Sequence, residues 1–133
     1  FEAPITLFCA QVKTRSSADL TRSPFSKFEV DLVAPNSYLA SQPIGSQLRD
    51  RDIEVIRFKS ARCPDRGINI AVTKITAFHG RKPVGDSSWF CISSADTVEF
   101  KSSSALAIEV SRTVFHRADF EVSGKLHSPS VFK

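Results

Sequence analysis

Alternation of apolar and polar residues over positions 72–110 is the feature that most constrains what this chain of 133 residues can fold into. Phe90 and Ile92 occupy alternate positions in one run. Val98 and Phe100 do so in the next, after a Ser-Ser-Ala-Asp turn signal. Successive side chains of a strand point to opposite faces, so this period of two is typical of a sheet with one buried face. The segment is predicted to form a β-meander.

The same alternation recurs along the chain, and no stretch carries the apolar spacing of an amphipathic helix beyond one helical turn near 46–49. This pattern and the length predict a single all-β domain over residues 1–133, a β-sandwich or β-barrel of about eight antiparallel strands. The expected strands are 4–9, 27–33, 52–59, 67–78, 88–94, 97–101, 105–111 and 118–123. The residues expected to be largely buried are Phe28, Val30, Leu32, Ile70, Phe90, Ile92, Val98, Phe100, Ile108 and Val122.

Basic residues are concentrated in positions 49–82, where nine Lys and Arg face four Asp and Glu. Such a zone can attract an acidic glycan, a nucleic acid or an acidic protein. The alternative is a solvated face on which the opposite charges neutralise one another. Nucleic acid is not the expected partner, because no aromatic-rich RNA-binding signature or zinc-finger spacing accompanies the charge.

The chain begins with Phe1 and contains no Met, which is typical of a secreted protein after removal of its signal peptide. A trimmed chain or a processed viral fragment would look the same. No apolar run is long enough to span a membrane. The three cysteines, Cys9, Cys63 and Cys91, match no metal-ligand spacing, so no metal site or cofactor is predicted. They allow one internal disulfide with one thiol left over, or three reduced thiols in a cytosolic domain.

Candidate catalytic residues are few. His79, His116 and His127 are the side chains suited to acid–base chemistry near neutral pH, and none lies in a familiar motif. The hydrolase, metalloprotease and phosphate-loop signatures are all missing from the sequence. The chain is therefore expected not to be an enzyme, with a small ribonuclease or hydrolase as the less favoured reading.

Residues 63–104 carry the elements Cys63-Pro64, then Val-x-Lys-Ile, then Phe-x-Gly-Arg-Lys-Pro-x-Gly at 78–85, and finally Thr-Val-Glu-Phe. In these elements the chain resembles the family of the major Alternaria allergen, small secreted fungal β-barrel proteins that act on plant hosts. The resemblance implies an extracellular effector or allergen-like virulence protein. It also links the Cys63 position to a homodimer, which leaves Cys9–Cys91 as the preferred internal bridge.

The functional prediction is a secreted, non-enzymatic domain that binds a host protein or host surface component. The alternative is a viral or bacterial surface module that recognises an acidic glycan or nucleic acid. The predicted binding surface is the Gly80–Gly85 turn with nearby cations, because loops on a rigid frame ordinarily carry recognition. Its named residues are Arg62, Arg66, Gly80, Arg81 and Lys82.

Overall fold

The computed structural model describes residues 1–63, 65–102 and 111–126, and within these ranges the protein is mostly β. The strands are β1 (Glu2–Val12), β2 (Ser17–Asp19), β3 (Val55–Lys59), β4 (Ile68–Val72), β5 (Phe78–Ser93), β6 (Thr97–Ser102), β7 (Arg112–His116), β8 (Glu121–Val122) and β9 (Lys125–Leu126). The helices are α1 (Glu29–Leu32) and α2 (Ser41–Asp50), with 3-10 turns at Phe25–Phe28, Ile75–Ala77 and Arg117–Phe120. The predicted strand 105–111 lies outside the described residues except at Ser111.

The larger sheet has four antiparallel strands in the order β1-β5-β6-β7. A second sheet has the order β2-β3-β4, and β8 pairs with β9. The all-β prediction is confirmed, although the described strands do not close into a barrel and β2 runs parallel to β3. Two strands of the predicted meander are present as the β5–β6 hairpin, with Ser93 opposite Val98 and the Ser94 amide donating to the Thr97 carbonyl at 2.9 Å. Its third strand falls on residues outside the described ranges, and β7, which pairs with β6, was not predicted.

Strand β5 is 16 residues long, but β6 pairs with it only from Trp89 to Ser93. The preceding part of β5 pairs with β1 alone, so the two strands leave the sheet as a two-stranded ribbon. Every residue of β5 from Phe78 to Ser88 is exposed. The sequence pattern predicted a turn at Gly80–Gly85 between two strands, whereas the structure has one strand that continues through it.

The most buried side chains of the described residues are Val33, Val55, Ile56 and Ala77. The burial prediction is wrong for Phe28, Val30 and Ile70, which are 50%, 85% and 56% exposed. Of the other residues expected in the core, Leu32, Phe90, Ile92, Val98 and Phe100 are half-buried. Ile108 and the side chain of Val122 lie outside what the structure describes.

The predicted strand 27–33 is wrong, because this segment is a 3-10 turn followed by α1. The Phe-Glu-Val-Asp-Leu alternation also places Phe28 and Leu32 four positions apart, which is the spacing of one helical face. An ion pair of 2.8 Å between Glu29 of α1 and Lys59 of β3 connects the helix to the second sheet. Val33, which follows α1, is the residue that this segment buries.

Glu54, just before β3, connects the two sheets. Its carboxylate accepts hydrogen bonds from the hydroxyls of Thr14 at 2.5 Å and Thr76 at 3.4 Å. Beside it, Asp52 pairs with Lys74 at 2.5 Å. These contacts fix the 3-10 turn at Ile75–Ala77 relative to the end of β1. None of the described helices has the length and apolar character needed to cross a membrane.

Candidate binding groove

A bulge in β5 interrupts the pairing of this strand with β1. On β1, Cys9 lies opposite Val84 and Gln11 opposite His79, so β1 advances two residues while β5 advances five. The three additional residues of β5 lie within the Gly-Arg-Lys-Pro segment at 80–83, which must leave the ladder of hydrogen bonds. Gly80 has φ +96°, a conformation that side chains other than hydrogen disfavour, and it allows the chain to leave the ribbon here.

The bulge forms one wall of a groove of about 420 Å³. Phe8 of β1, Ile75 of the 3-10 turn and Phe78 of β5 contribute its large apolar side chains. Arg81 and Lys82 contribute its positive charge, and no carboxylate lines it. Phe8 and Phe78 are 55% and 45% exposed, so each ring presents a surface to solvent. The groove is an apolar depression with two cations on its wall.

The groove rests on a fixed frame. Ala77 is fully buried, and its carbonyl accepts a hydrogen bond of 2.9 Å from the Lys13 amide. Directly after it, Phe78 enters the ladder opposite Val12. The 3-10 turn that carries Ile75 is therefore held to β1 on one side and, through the Thr76 hydroxyl, to the Glu54 carboxylate on the other. A ligand would meet these side chains already in place, which lowers the entropy that binding costs.

Charge in the basic zone is partly neutralised. Arg57 pairs with Asp19 at 2.9 Å, and Lys59 and Lys74 make the ion pairs described above. Within the described ranges, Arg81 and Lys82 form no ion pair with a carboxylate. The alternative of a neutralised, solvated face thus fits the first three cations, whereas the two on the bulge keep their charge available.

Arg62 and Arg66 lie elsewhere. They line a separate cleft of about 230 Å³ that shares no residue with the groove. Asp119 and Glu121 line the same cleft, so its lining holds two carboxylates beside two guanidinium groups, and Glu121 also pairs with Arg117 at 2.7 Å. Arg62 also donates a hydrogen bond to the Pro35 carbonyl at 3.3 Å. The five residues predicted to form one surface therefore divide between a cationic groove and a charge-balanced cleft.

An aromatic cluster adjoins the charge-balanced cleft. The rings of Phe100 and Phe115 meet edge to face with centroids 6.0 Å apart, and Phe120 lies 6.0 Å from Phe115. Together with Arg62 and Cys63 they line a largely apolar cleft of about 480 Å³. Phe120 lines both clefts, and neither cleft shares a residue with the groove.

The disulfide prediction is wrong, because all three cysteines are free. Cys91 lies opposite Ala3 in the β1–β5 ladder, and Cys9 is six positions further along β1. At about 3.3 Å per residue the two cysteines are roughly 20 Å apart. A disulfide requires Cα atoms within about 7 Å. Cys63 is a free, half-buried thiol, as the prediction for it allowed, and nothing in the structure supports the predicted homodimer through it.

The structure does not bring the candidate histidines together. His79 lines the groove opposite Gln11, whereas His116 of β7 pairs with Thr97 of β6 in the four-stranded part of the sheet. From Gln11 to Glu2, which lies opposite Ile92, β1 spans nine residues, or roughly 30 Å. His127 lies outside the described residues. A two-histidine ribonuclease centre is therefore not formed by His79 and His116. Among the described residues no group of three His, Cys, Asp or Glu could hold a metal ion.

The sequence profile of the RES domain matches residues 1–93. The chain belongs to the RES domain family. The match overturns the resemblance to the Alternaria allergen family, since it covers most of the segment that suggested it. The groove lies entirely within the matched part of this RES domain, whereas the charge-balanced cleft extends beyond it to Glu121. Comparison with curated proteins gives no match.

Sequence reasoning missed the apolar residues of the groove. Ile75 and Phe78 are near enough to Arg81 along the chain to have been suspected. Phe8 is not, because it reaches the groove only through the pairing of β1 with β5, which joins residues about 70 positions apart. Nothing in the local pattern around Phe8 distinguishes it from a core residue.

Proposed function

We propose that this RES domain acts by binding an anionic partner in the groove between β1 and the β5 bulge. The observation that carries the proposal is the pair Arg81 and Lys82, which lack a carboxylate partner among the described residues and lie beside an apolar floor. A concave site with a few charged groups over apolar walls is the ordinary form of a recognition site. The charge would attract the ligand, and the apolar floor would add contact area.

The groove is favoured over the charge-balanced cleft on electrostatic grounds. An anion approaching Arg62 and Arg66 also meets Asp119, and Glu121 with its partner Arg117, so repulsion offsets part of the attraction there. An anion approaching Arg81 and Lys82 meets no lining carboxylate. The same two residues lie on a bulge between paired segments of β5, which presents them on a rigid support.

Secretion and a host partner stay predictions from the sequence. Fractionation of the organism that makes the protein would check them, and recovery from the cell interior alone would contradict both. The non-enzymatic character of the domain is likewise part of the proposal, and the binding assay is paired with an activity assay for that reason.

The test removes the two groove cations with Arg81→Ser/Lys82→Ser. The matched control is Arg49→Ser/Arg51→Ser, which removes the same charge from two exposed residues that do not line the groove. The groove variant should elute from immobilised heparin at clearly lower salt than the wild type, and the control should elute close to it. Both should fold normally, since exposed substitutions usually change stability by less than about 0.5 kcal/mol.

If the elution salt concentration fell equally in the two variants, net charge alone would govern binding, and the proposal that the groove is the binding site would be wrong. An enzymatic function would give a different experimental result. If the protein degrades RNA or a glycan, and His79→Ala or His116→Ala abolishes that activity while Arg81→Ser/Lys82→Ser retains it, catalysis replaces binding as the function.

A further inference from the structure

We infer that the anion for which the groove is built is a single-stranded nucleic acid. The inference rests on the proposed function and names the ligand class of the same site. It comes from the juxtaposition of Phe8 and Phe78 with Arg81 and Lys82 in one groove. Proteins that bind single strands combine aromatic platforms, on which bases stack, with cations that follow the phosphates.

The two rings are available for stacking. Phe8 and Phe78 belong to adjacent strands, and each exposes about half of its surface while lining the groove. Neither ring packs against another described aromatic ring, in contrast to the Phe100–Phe115–Phe120 cluster. Every nucleobase has an aromatic face that such a ring can stack on, so binding by stacking would depend little on the nucleotide sequence.

Other anionic polymers match the groove less well. A sulfated glycan would satisfy Arg81 and Lys82 but has no aromatic face to place on the two phenylalanines. A duplex has charge but keeps its base faces inside the stack, where exposed rings cannot reach them. The volume of about 420 Å³ suits a few unstacked bases rather than a duplex. The missing RNA-binding motif in the sequence does not argue against this arrangement, because the rings meet only in the folded chain.

The decisive comparison uses two fluorescent oligonucleotides of equal length, an oligo(dT) and one in which every base is replaced by an abasic site. Both carry the same phosphates, so contacts to the bases separate them, and the variant below isolates the part due to stacking. The wild type should bind oligo(dT) about tenfold more tightly than the abasic strand. Phe8→Leu/Phe78→Leu keeps apolar side chains without aromatic faces. It should reduce the affinity for oligo(dT) to about that for the abasic strand, and it should lower the affinity for the abasic strand far less.

Salt dependence reports the cations separately. Arg81→Ser/Lys82→Ser should weaken the binding of both oligonucleotides. It should also reduce the slope of log affinity against log salt concentration by roughly 1.4, the value for two phosphate contacts on a single strand. Arg49→Ser/Arg51→Ser should leave that slope near the wild-type value. Urea unfolding of each variant ensures that the compared proteins are folded.

The outcomes distinguish the two levels of the proposal. If the wild type binds the abasic strand as tightly as oligo(dT), or if poly-glutamate displaces both equally well, the nucleic-acid inference fails. The proposal that the groove binds an anion then still stands if Arg81→Ser/Lys82→Ser weakens binding. If that variant binds every probe as the wild type does, the proposed function fails as well. The wild-type comparison of the two strands requires no variant to fold.

Discussion

Truncation of Ile56 to Ala should destabilise the protein several times more than the same truncation of Ile70. Ile56 lies on β3, the central strand of the β2-β3-β4 sheet, and is 6% exposed. Ile70 lies on the neighbouring edge strand β4 and is 56% exposed. The two positions therefore share a residue type and a sheet and differ in burial.

The expected magnitudes follow from the buried carbon. Ile→Ala removes three carbon groups, and each is worth about 0.8 kcal/mol when fully buried. Ile56→Ala should therefore lower the free energy of unfolding by about 2.5 kcal/mol through the loss of buried apolar groups, and the cavity left behind raises this cost to about 3 kcal/mol. Less than half of Ile70 is buried and its site opens to solvent, so its truncation should cost about 1 kcal/mol.

Equilibrium urea unfolding of the two variants measures both free energies. The midpoints should separate while the slopes stay equal, because the surface exposed on unfolding hardly changes. Equal costs at the two positions, or a larger cost at Ile70, would refute the assignment of β3 as the buried strand. In that case the strand order of the second sheet would need revision.

Three further outcomes are expected. Gly45→Ala in the middle of α2, where an added Cβ meets nothing within 4 Å, should stabilise the protein by about 0.5–1 kcal/mol in thermal unfolding. Gly80→Ala should destabilise it by about 1 kcal/mol or more, because Gly80 has φ +96°. Hydrogen bonds from Thr21 and the nearby Arg57 lower the pKa of Asp19 from 3.8 to about 2, so its ionised form stabilises the fold above pH 4 and loses that effect as the pH falls towards 2. Asp19→Asn should accordingly flatten the loss of stability over that range, and an unchanged acid profile would contradict it. Iodoacetamide without reductant should modify all three cysteines, Cys9 fastest because it is exposed, and a thiol that reacts only after reduction would show that a bridge exists.

The strands that the sequence specifies well are those whose alternation coincides with strong turn residues. Ser94 supplies such a turn: its hydroxyl accepts from the Thr97 amide at 3.0 Å, and the β5–β6 hairpin forms where the pattern places it. Alternation alone was insufficient for Phe28 to Leu32, because five residues fit one helical turn as well as one short strand. Helix α2 was underestimated for a related reason, since Pro43 and Gly45 in its sequence favour a loop locally.

The candidate site was predictable only in its charge. Arg81 and Lys82 stand out in the sequence because they follow a glycine and precede a proline. Their relation to Phe8 depends on the register of β1 against β5, which no local pattern encodes. The expected union of Arg81 with Arg62 failed for the same reason, since proximity in sequence does not place two loops on one side of a sheet.

The β5 bulge also separates loop length from strand register. Thr6 stays opposite Ser88 and Gln11 opposite His79, while the residues between them accommodate the extra length. A chain with one residue more or fewer between Gly80 and Val84 can therefore keep both flanking ladders and every side chain on its present face. This makes the bulge a natural grafting point, where a longer or differently charged loop could be installed by protein engineering without rebuilding the ribbon that carries it.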